Sequence, residues 1–138
     1  MGISENIRAV KAKIAAAAEG AERDPASVSL LAVSKTIAED KILEAIKAGH
    51  NKFGENRVQE AEQKWPDLRD ATGPVELHLI GSLQTNKTRA AVALFGVIET
   101  LDRLKLAHAL AKEMAYLDRR IPCFIQVNTG EEPQKAGV

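Results

Sequence analysis

One lysine stands where a lysine can do covalent chemistry. Lys35 follows closely on Val28–Val33 (VSLLAV), an apolar run of the kind that a parallel sheet buries on both faces. A lysine at the end of such a strand is expected to have its stem buried and its ammonium partly desolvated. Desolvation lowers an amine pKa and makes the neutral form nucleophilic towards aldehydes, with which lysines form Schiff bases. The competing reading is a lysine whose stem lies along the strand end while its charge reaches water. Most other lysines fall on helix faces or in loops and read as solvated charge.

Other chemistries find little support. The sequence contains no GxSxG, HExxH, GxGxxG or GxxxxGK[ST] pattern. His50, His78 and His108 are far apart and lack metal-ligand spacing, so no metal site is expected. His108 reads as a surface residue on a helix and His78 as a structural residue within a strand. The single cysteine, Cys123, opens an apolar strand and reads as an inert thiol, and no disulfide within the chain is possible. Nineteen basic and nineteen acidic residues give zero formal net charge over 138 residues. That balance offers no footprint for nucleic acid or for an anionic membrane. The N-terminal residues show no basic stretch followed by an apolar run, and no apolar segment is long enough to span a bilayer. A cytoplasmic protein is the expectation.

The elements that would position Lys35 alternate regularly. Ile3, Ile7, Val10 and Ile14 recur at helical spacing, and Gly20 and Asp24-Pro25 end that helix. Strand starts follow at residues 28, 52, 75, 97 and 123, about 22 to 26 residues apart, with a helix-length segment after each of the first four. Thr36 with Glu39 reads as a capping box, Asn56 and Asp102 as helix caps, and Pro66 as a helix limit. Strands alternating with helices imply a parallel sheet, either doubly wound or a (β/α)8 barrel. Length alone favours a five-stranded doubly wound sheet, since a barrel needs at least about 200 residues. In either case ligands bind beyond the carboxyl ends of the strands. Those ends are Ser34–Thr36, Glu55–Arg57, Gly81–Gln84, Thr100–Asp102 and Asn128-Thr129. Lys35 is the only lysine placed directly at one of them.

Four segments carry a resemblance. Leu31–Thr36 (LAVSKT), Phe53–Glu60 (FGENRVQE), His78–Lys87 (HLIGSLQTNK) and Gln126-Val127-Asn128 followed by Gly130-Glu131 and Lys135-Ala136-Gly137 occur in this order. Together they resemble the YggS/PROSC family of pyridoxal phosphate homeostasis proteins over essentially the whole chain. The resemblance implies a TIM-barrel-type (β/α)8 fold like the N-terminal domain of alanine racemase, with one pyridoxal 5'-phosphate (PLP). By the same resemblance Lys35 is the Schiff-base residue and Asn56 lies near the cofactor at the end of strand two. Ile80, Gly81 and Ser82 line the pocket from strand three, and Asn128 lines it from strand five. The family is thought to buffer or deliver PLP, with PLP-dependent apo-enzymes as recipients, and has no established turnover. No catalytic residue is implied.

Residues 1–138 then read as one PLP-binding domain holding the leading helix and five βα units of the barrel, incomplete at the C-terminus. The family's later segments, a Ser/Met-rich strand and a Gly-Ser/Thr-Thr-x-Val-Arg-x-Gly turn, grip the phosphate and are not in this sequence. Weakened PLP affinity is the expectation. The full-length family is expected to be monomeric, whereas the open edges of strands one and five would favour pairing with another chain. Two rival readings stand beside the first: a PLP-dependent amino-acid racemase-like enzyme on the same barrel, and a fragment that has lost cofactor binding. The only tyrosine, Tyr116, falls on a helix away from the strand ends, which speaks against a racemase.

Overall fold

A computed structural model of the chain describes residues 2–138. Helix α1 (Ile3–Gly20) leads into β1 (Ala32–Val33), α2 (Glu39–Lys47), β2 (Lys52–Glu55), α3 (Val58–Thr72) and β3 (Glu76–Leu79). Then follow α4 (Thr88–Leu94), β4 (Val97–Leu101), α5 (Leu104–Leu117) and β5 (Cys123–Ile125). The five strands form one sheet in the order β1-β2-β3-β4-β5, and every neighbouring pair is parallel. A doubly wound sheet reverses its strand order at a switch point. This sheet never does, so its winding is that of a TIM-type barrel, and the doubly wound alternative falls.

Register separates two faces. Phe53 pairs with Leu77, and Glu55 with Leu79, which pairs in turn with Ile98. These residues are fully or almost fully buried beneath the helices. On the opposite face Val33, Gly54, His78 and Val97 form a row across four strands. Val33 at the edge of that row is 49% exposed. The core lies in the helix layer, where Trp65 and Phe95 are fully buried and the Trp65 ring stands 5.2 Å from that of Phe53.

Several local expectations fail for identifiable reasons. Strand β1 is laddered to β2 only at Ala32 and Val33, although β2 pairs over all four of its residues with β3. The Thr36–Glu39 capping box does not form. Thr36 takes a left-handed conformation (φ 59°), so α2 begins at Glu39 after Ala38. Arg57 precedes α3 in place of Asn56, and Arg103 precedes α5 in place of Asp102. The Asp102 carboxylate instead accepts bonds from Arg103 and from the Gly137 amide. Pro66 lies inside α3. It costs that helix a hydrogen bond, but it sits on the exposed face while Trp65 and Leu68 anchor the turns on either side.

Helix α4 is short and ends against two arginines. Arg69 Nη1 donates to Leu94 O at 2.9 Å, and Arg119 Nη1 donates to Phe95 O at 2.7 Å and to Val92 O. Cations on the last carbonyls of a helix satisfy orphan acceptors and complement the helix dipole. Burial, and then the neighbouring Arg119, lower the Arg69 pKa. Among the described residues no helix is long and apolar enough to cross a membrane.

Trp65→Ala opens a cavity between α3 and β2 that the strand cannot collapse to fill. Chemical denaturation should show a loss of about 3–5 kcal/mol; a loss below about 1 kcal/mol would contradict the packing described.

Candidate functional site

The carboxyl end of β1 turns sharply. Ile37 N–H donates to Ser34 O at 3.1 Å, which closes a four-residue turn around Lys35 and Thr36. Ser34 N–H donates to Gly54 O at 2.9 Å and continues the ladder to β2. Ser34 is buried, whereas Lys35 and Thr36 are exposed. The burial of Lys35 expected from the apolar run is therefore not found. The run is laddered for only two residues, the second of which is itself exposed, so little of the strand end covers the lysine stem.

The buried lysine is a different one. Lys64, on α3, is 7% exposed and reaches under the turn. Its ammonium lies 2.6 Å from Glu55 Oε1 and 3.2 Å from Glu60 Oε2. It also donates to Ser34 O at 2.8 Å and to Ile37 O at 3.4 Å. The Glu55 carboxylate has no exposed surface and accepts a further bond from Ser34 Oγ at 3.1 Å. Glu60 Oε2 accepts the Thr36 N–H at 2.6 Å. That bond, followed by the charge and hydrogen bond of Lys64, holds the Glu60 carboxyl below the usual carboxylate range against the opposing effect of burial.

Sequence reading placed Lys64 among solvated lysines and missed this cluster. Its signals were present. Glu55 stands two residues from Phe53, hence on the same buried face of β2. Glu60 and Lys64 are four apart, the spacing of a helical ion pair.

The other expected site residues fall into two groups. Asn56, Ile80, Gly81 and Ser82 come together at the ends of β2 and β3. Ile80 N–H donates to Glu55 O at 2.9 Å, and Gly81 packs on Asn56 so closely that a Cβ there would lie 2.2 Å from Asn56 O. Glycine is required at 81 by this contact. Thr100 Oγ1 donates to Gly81 O at 2.8 Å and ties β4 to the same place. Asn56 and Ser82 line an open groove of about 360 Å³ with Arg57, Gln84 and Lys87. Asn128 lies past the end of β5, four strands from Lys35 along the sheet. Its side chain shapes its own loop, with Nδ2 donating to Glu132 O at 2.8 Å and Oδ1 accepting from Glu132 N at 3.2 Å.

Elsewhere, His78 is buried and pairs through Nδ1 with Glu99 at 2.7 Å on the face opposite the helices. His108 is exposed on α5. Cys123 is half-buried, and desolvation raises its thiol pKa. Tyr116 is exposed on α5 beneath Arg89, whose guanidinium carbon lies 4.2 Å from the ring centre. No cluster of three or more metal-ligating side chains occurs among the described residues.

The depressed Glu60 pKa has a consequence for stability. Because the folded state holds this proton less tightly than the unfolded chain, its contribution is fully present above the ordinary value of 4.5 and is lost as pH falls through the folded value. Urea unfolding from about pH 5.5 to about pH 3 should show a steeper loss for the wild type than for Glu60→Gln. Parallel curves would contradict the assignment.

Residues 5–138 match the family model described as alanine racemase, N-terminal domain. A protein of Pseudomonas aeruginosa named pyridoxal phosphate homeostasis protein is 43% identical over 135 residues, covering 98% of this chain and 58% of that protein. The protein of the same name from Pasteurella multocida is 37% identical over 138 residues, covering 100% of this chain and 59% of that protein. Among solved structures, PipY of Synechococcus elongatus PCC7942 with PLP bound aligns with a TM-score of 0.76 at 38% identity, covering 93% of this chain and 58% of that one. This chain thus spans under two thirds of the length of these relatives. With winding and similarity in agreement, the chain belongs to the alanine racemase N-terminal domain family, alongside relatives named pyridoxal phosphate homeostasis protein.

Proposed function

We propose that this chain binds PLP, with Lys35 as the amine that takes its aldehyde, and that it holds the cofactor without turning over a substrate. The observation that carries the reading is the turn Ser34–Ile37, which presents Lys35 as an exposed primary amine at a strand end while its neighbours are bonded inward. The donor set fits the aldehyde end of PLP. Bound PLP supplies an aldehyde carbon, with which a neutral lysine amine condenses to a Schiff base and one water. The second lysine of this region does not compete, because the Lys64 ammonium is buried and engaged with Glu55, Glu60 and Ser34 O.

Asn56, Ile80, Gly81 and Ser82 form the proposed neighbouring wall, gathered by the contact of Gly81 with Asn56. Asn128 joins the set from the end of β5, where its bonds to Glu132 shape the loop. The reading without turnover is supported by the relatives' names and by Tyr116, which stands exposed on α5 away from the strand ends. Delivery of PLP to apo-enzymes and a cytoplasmic location are parts of the same proposal. They rest on those names and on a single cysteine suited to a reducing compartment.

Titration with PLP should give the visible band of a lysine Schiff base that borohydride bleaches and that Lys35→Ala lacks. A protein that stays colourless, or a Lys35→Ala variant with the same band, would overturn the assignment. Amino-acid racemisation faster than with free PLP, lost in Lys35→Ala, would instead establish the racemase-like alternative.

A further inference from the structure

We infer that Glu60 and Lys64 are positioning residues for Lys35: a buried ammonium and the carboxylate it holds clamp the turn so that the Lys35 amine is presented in one geometry. The inference rests on the proposed role of Lys35 and adds to it the residues that act through the backbone.

Beyond its own Ile37-to-Ser34 closing bond, the turn depends on outside partners. Thr36 has φ 59°, a left-handed conformation that is strained for a β-branched residue and persists only where the surroundings enforce it. Its own hydroxyl bonds locally, to Lys35 O at 2.6 Å, and leaves the backbone N–H to be met from outside. Glu60 Oε2 meets it at 2.6 Å. Glu60 is held in turn by Lys64 at 3.2 Å, and the same ammonium takes the carbonyls of Ser34 and Ile37, the first and last residues of the turn. Ser34 is fixed a second time through its hydroxyl on Glu55, to which Lys64 is also paired. Both ends and the middle of the turn therefore hang from one ion cluster on β2 and α3. Within the turn, Ser34 and Thr36 spend their polar side chains on protein partners, and Lys35 is exposed.

An acceptor at position 60, rather than its charge alone, is what the Thr36 amide needs. Glu60→Ala removes it. Glu60→Gln keeps an amide oxygen in the same place. Two measurements on the whole chain separate the possibilities: hydrogen exchange of the Thr36 amide without PLP, and the rate at which the PLP band grows. Glu60→Ala should speed the exchange and slow band growth, each by about tenfold, the scale of one charge-assisted hydrogen bond. Glu60→Gln, which keeps a neutral acceptor but loses the charge, should fall between wild type and Glu60→Ala, with each change about threefold, and the thermal midpoint is reported alongside. Unchanged exchange and band growth in Glu60→Ala, with a normal Lys35 band in the wild type, would overturn the clamp and leave PLP binding standing. Equal losses in the Ala and Gln variants would overturn the hydrogen-bond account. Protection of Thr36 that follows the expected pattern in a protein with no Lys35 band would overturn the positioning role together with the proposed function, while the clamp on the turn would stand as structure.

Discussion

An ammonium taken out of water costs several kcal/mol unless charges and acceptors meet it. Lys64 is almost fully buried, and its partners lie on three elements: Glu55 at the end of β2, Glu60 one turn earlier on α3, and the carbonyl of Ser34 at the end of β1. An ammonium has three protons to give, and this one is surrounded by acceptors enough to take them all. The cluster is therefore a junction and not an ornament on the core. It joins two strand ends to the helix that crosses behind them, and it does so at the level where a parallel sheet presents its ligand-binding loops. Removing the lysine alone would strand a fully buried carboxylate, whose unpaired burial is among the costlier single changes a core can suffer.

The rest of the fold supplies the frame for that junction. Sequential winding places the end of each strand next to the end of the following one, so residues from β1, β2 and β3 meet without any long loop. Close approach is set by glycine. Gly81 rests against the backbone of Asn56, and a Cβ at Gly54 would sit 3.1 Å from Leu31 and 3.2 Å from Ile80. Behind the sheet, Trp65 and Leu68 keep α3 seated despite Pro66, and Lys64 is carried on the same turns. Packing in the core thus fixes the height and rotation of α3. That in turn fixes where the ammonium reaches, and the ammonium fixes the turn that bears Lys35.

Much of this was legible in residues alone. The alternation of apolar runs with helical stripes identified all five strands and all five helices, because both periodicities report burial directly. The position of Lys35 at a strand end was equally plain. Local punctuation was less faithful. Thr36 and Glu39 have the spacing of a capping box, yet the Thr36 amide is claimed by Glu60, 24 residues away, and α2 begins later. Pro66 reads as a helix stop, and tertiary packing overrides it. For Lys35 the residues leave a buried stem and a charge reaching water both open, and the structure takes the exposed one. The burial of Lys64 is missed, for a related reason. An apolar run predicts that a strand is covered but not where its ladder ends, and a charged residue on a helix is taken as solvated until a buried counter-ion is seen opposite it. The choice between a barrel and a doubly wound sheet also needed strand order, which periodicity does not contain.

The central claim is that the ion cluster makes one lysine available and withholds its neighbour. Peptide mapping tests this most directly, after brief exposure to a limiting amount of PLP and reduction with borohydride. The account predicts that the reduced adduct is concentrated on Lys35, with Lys64 unmodified in the folded chain and modified only after unfolding. Adduct spread over the exposed lysines without preference for Lys35, or found on Lys64 in the folded protein, would contradict it.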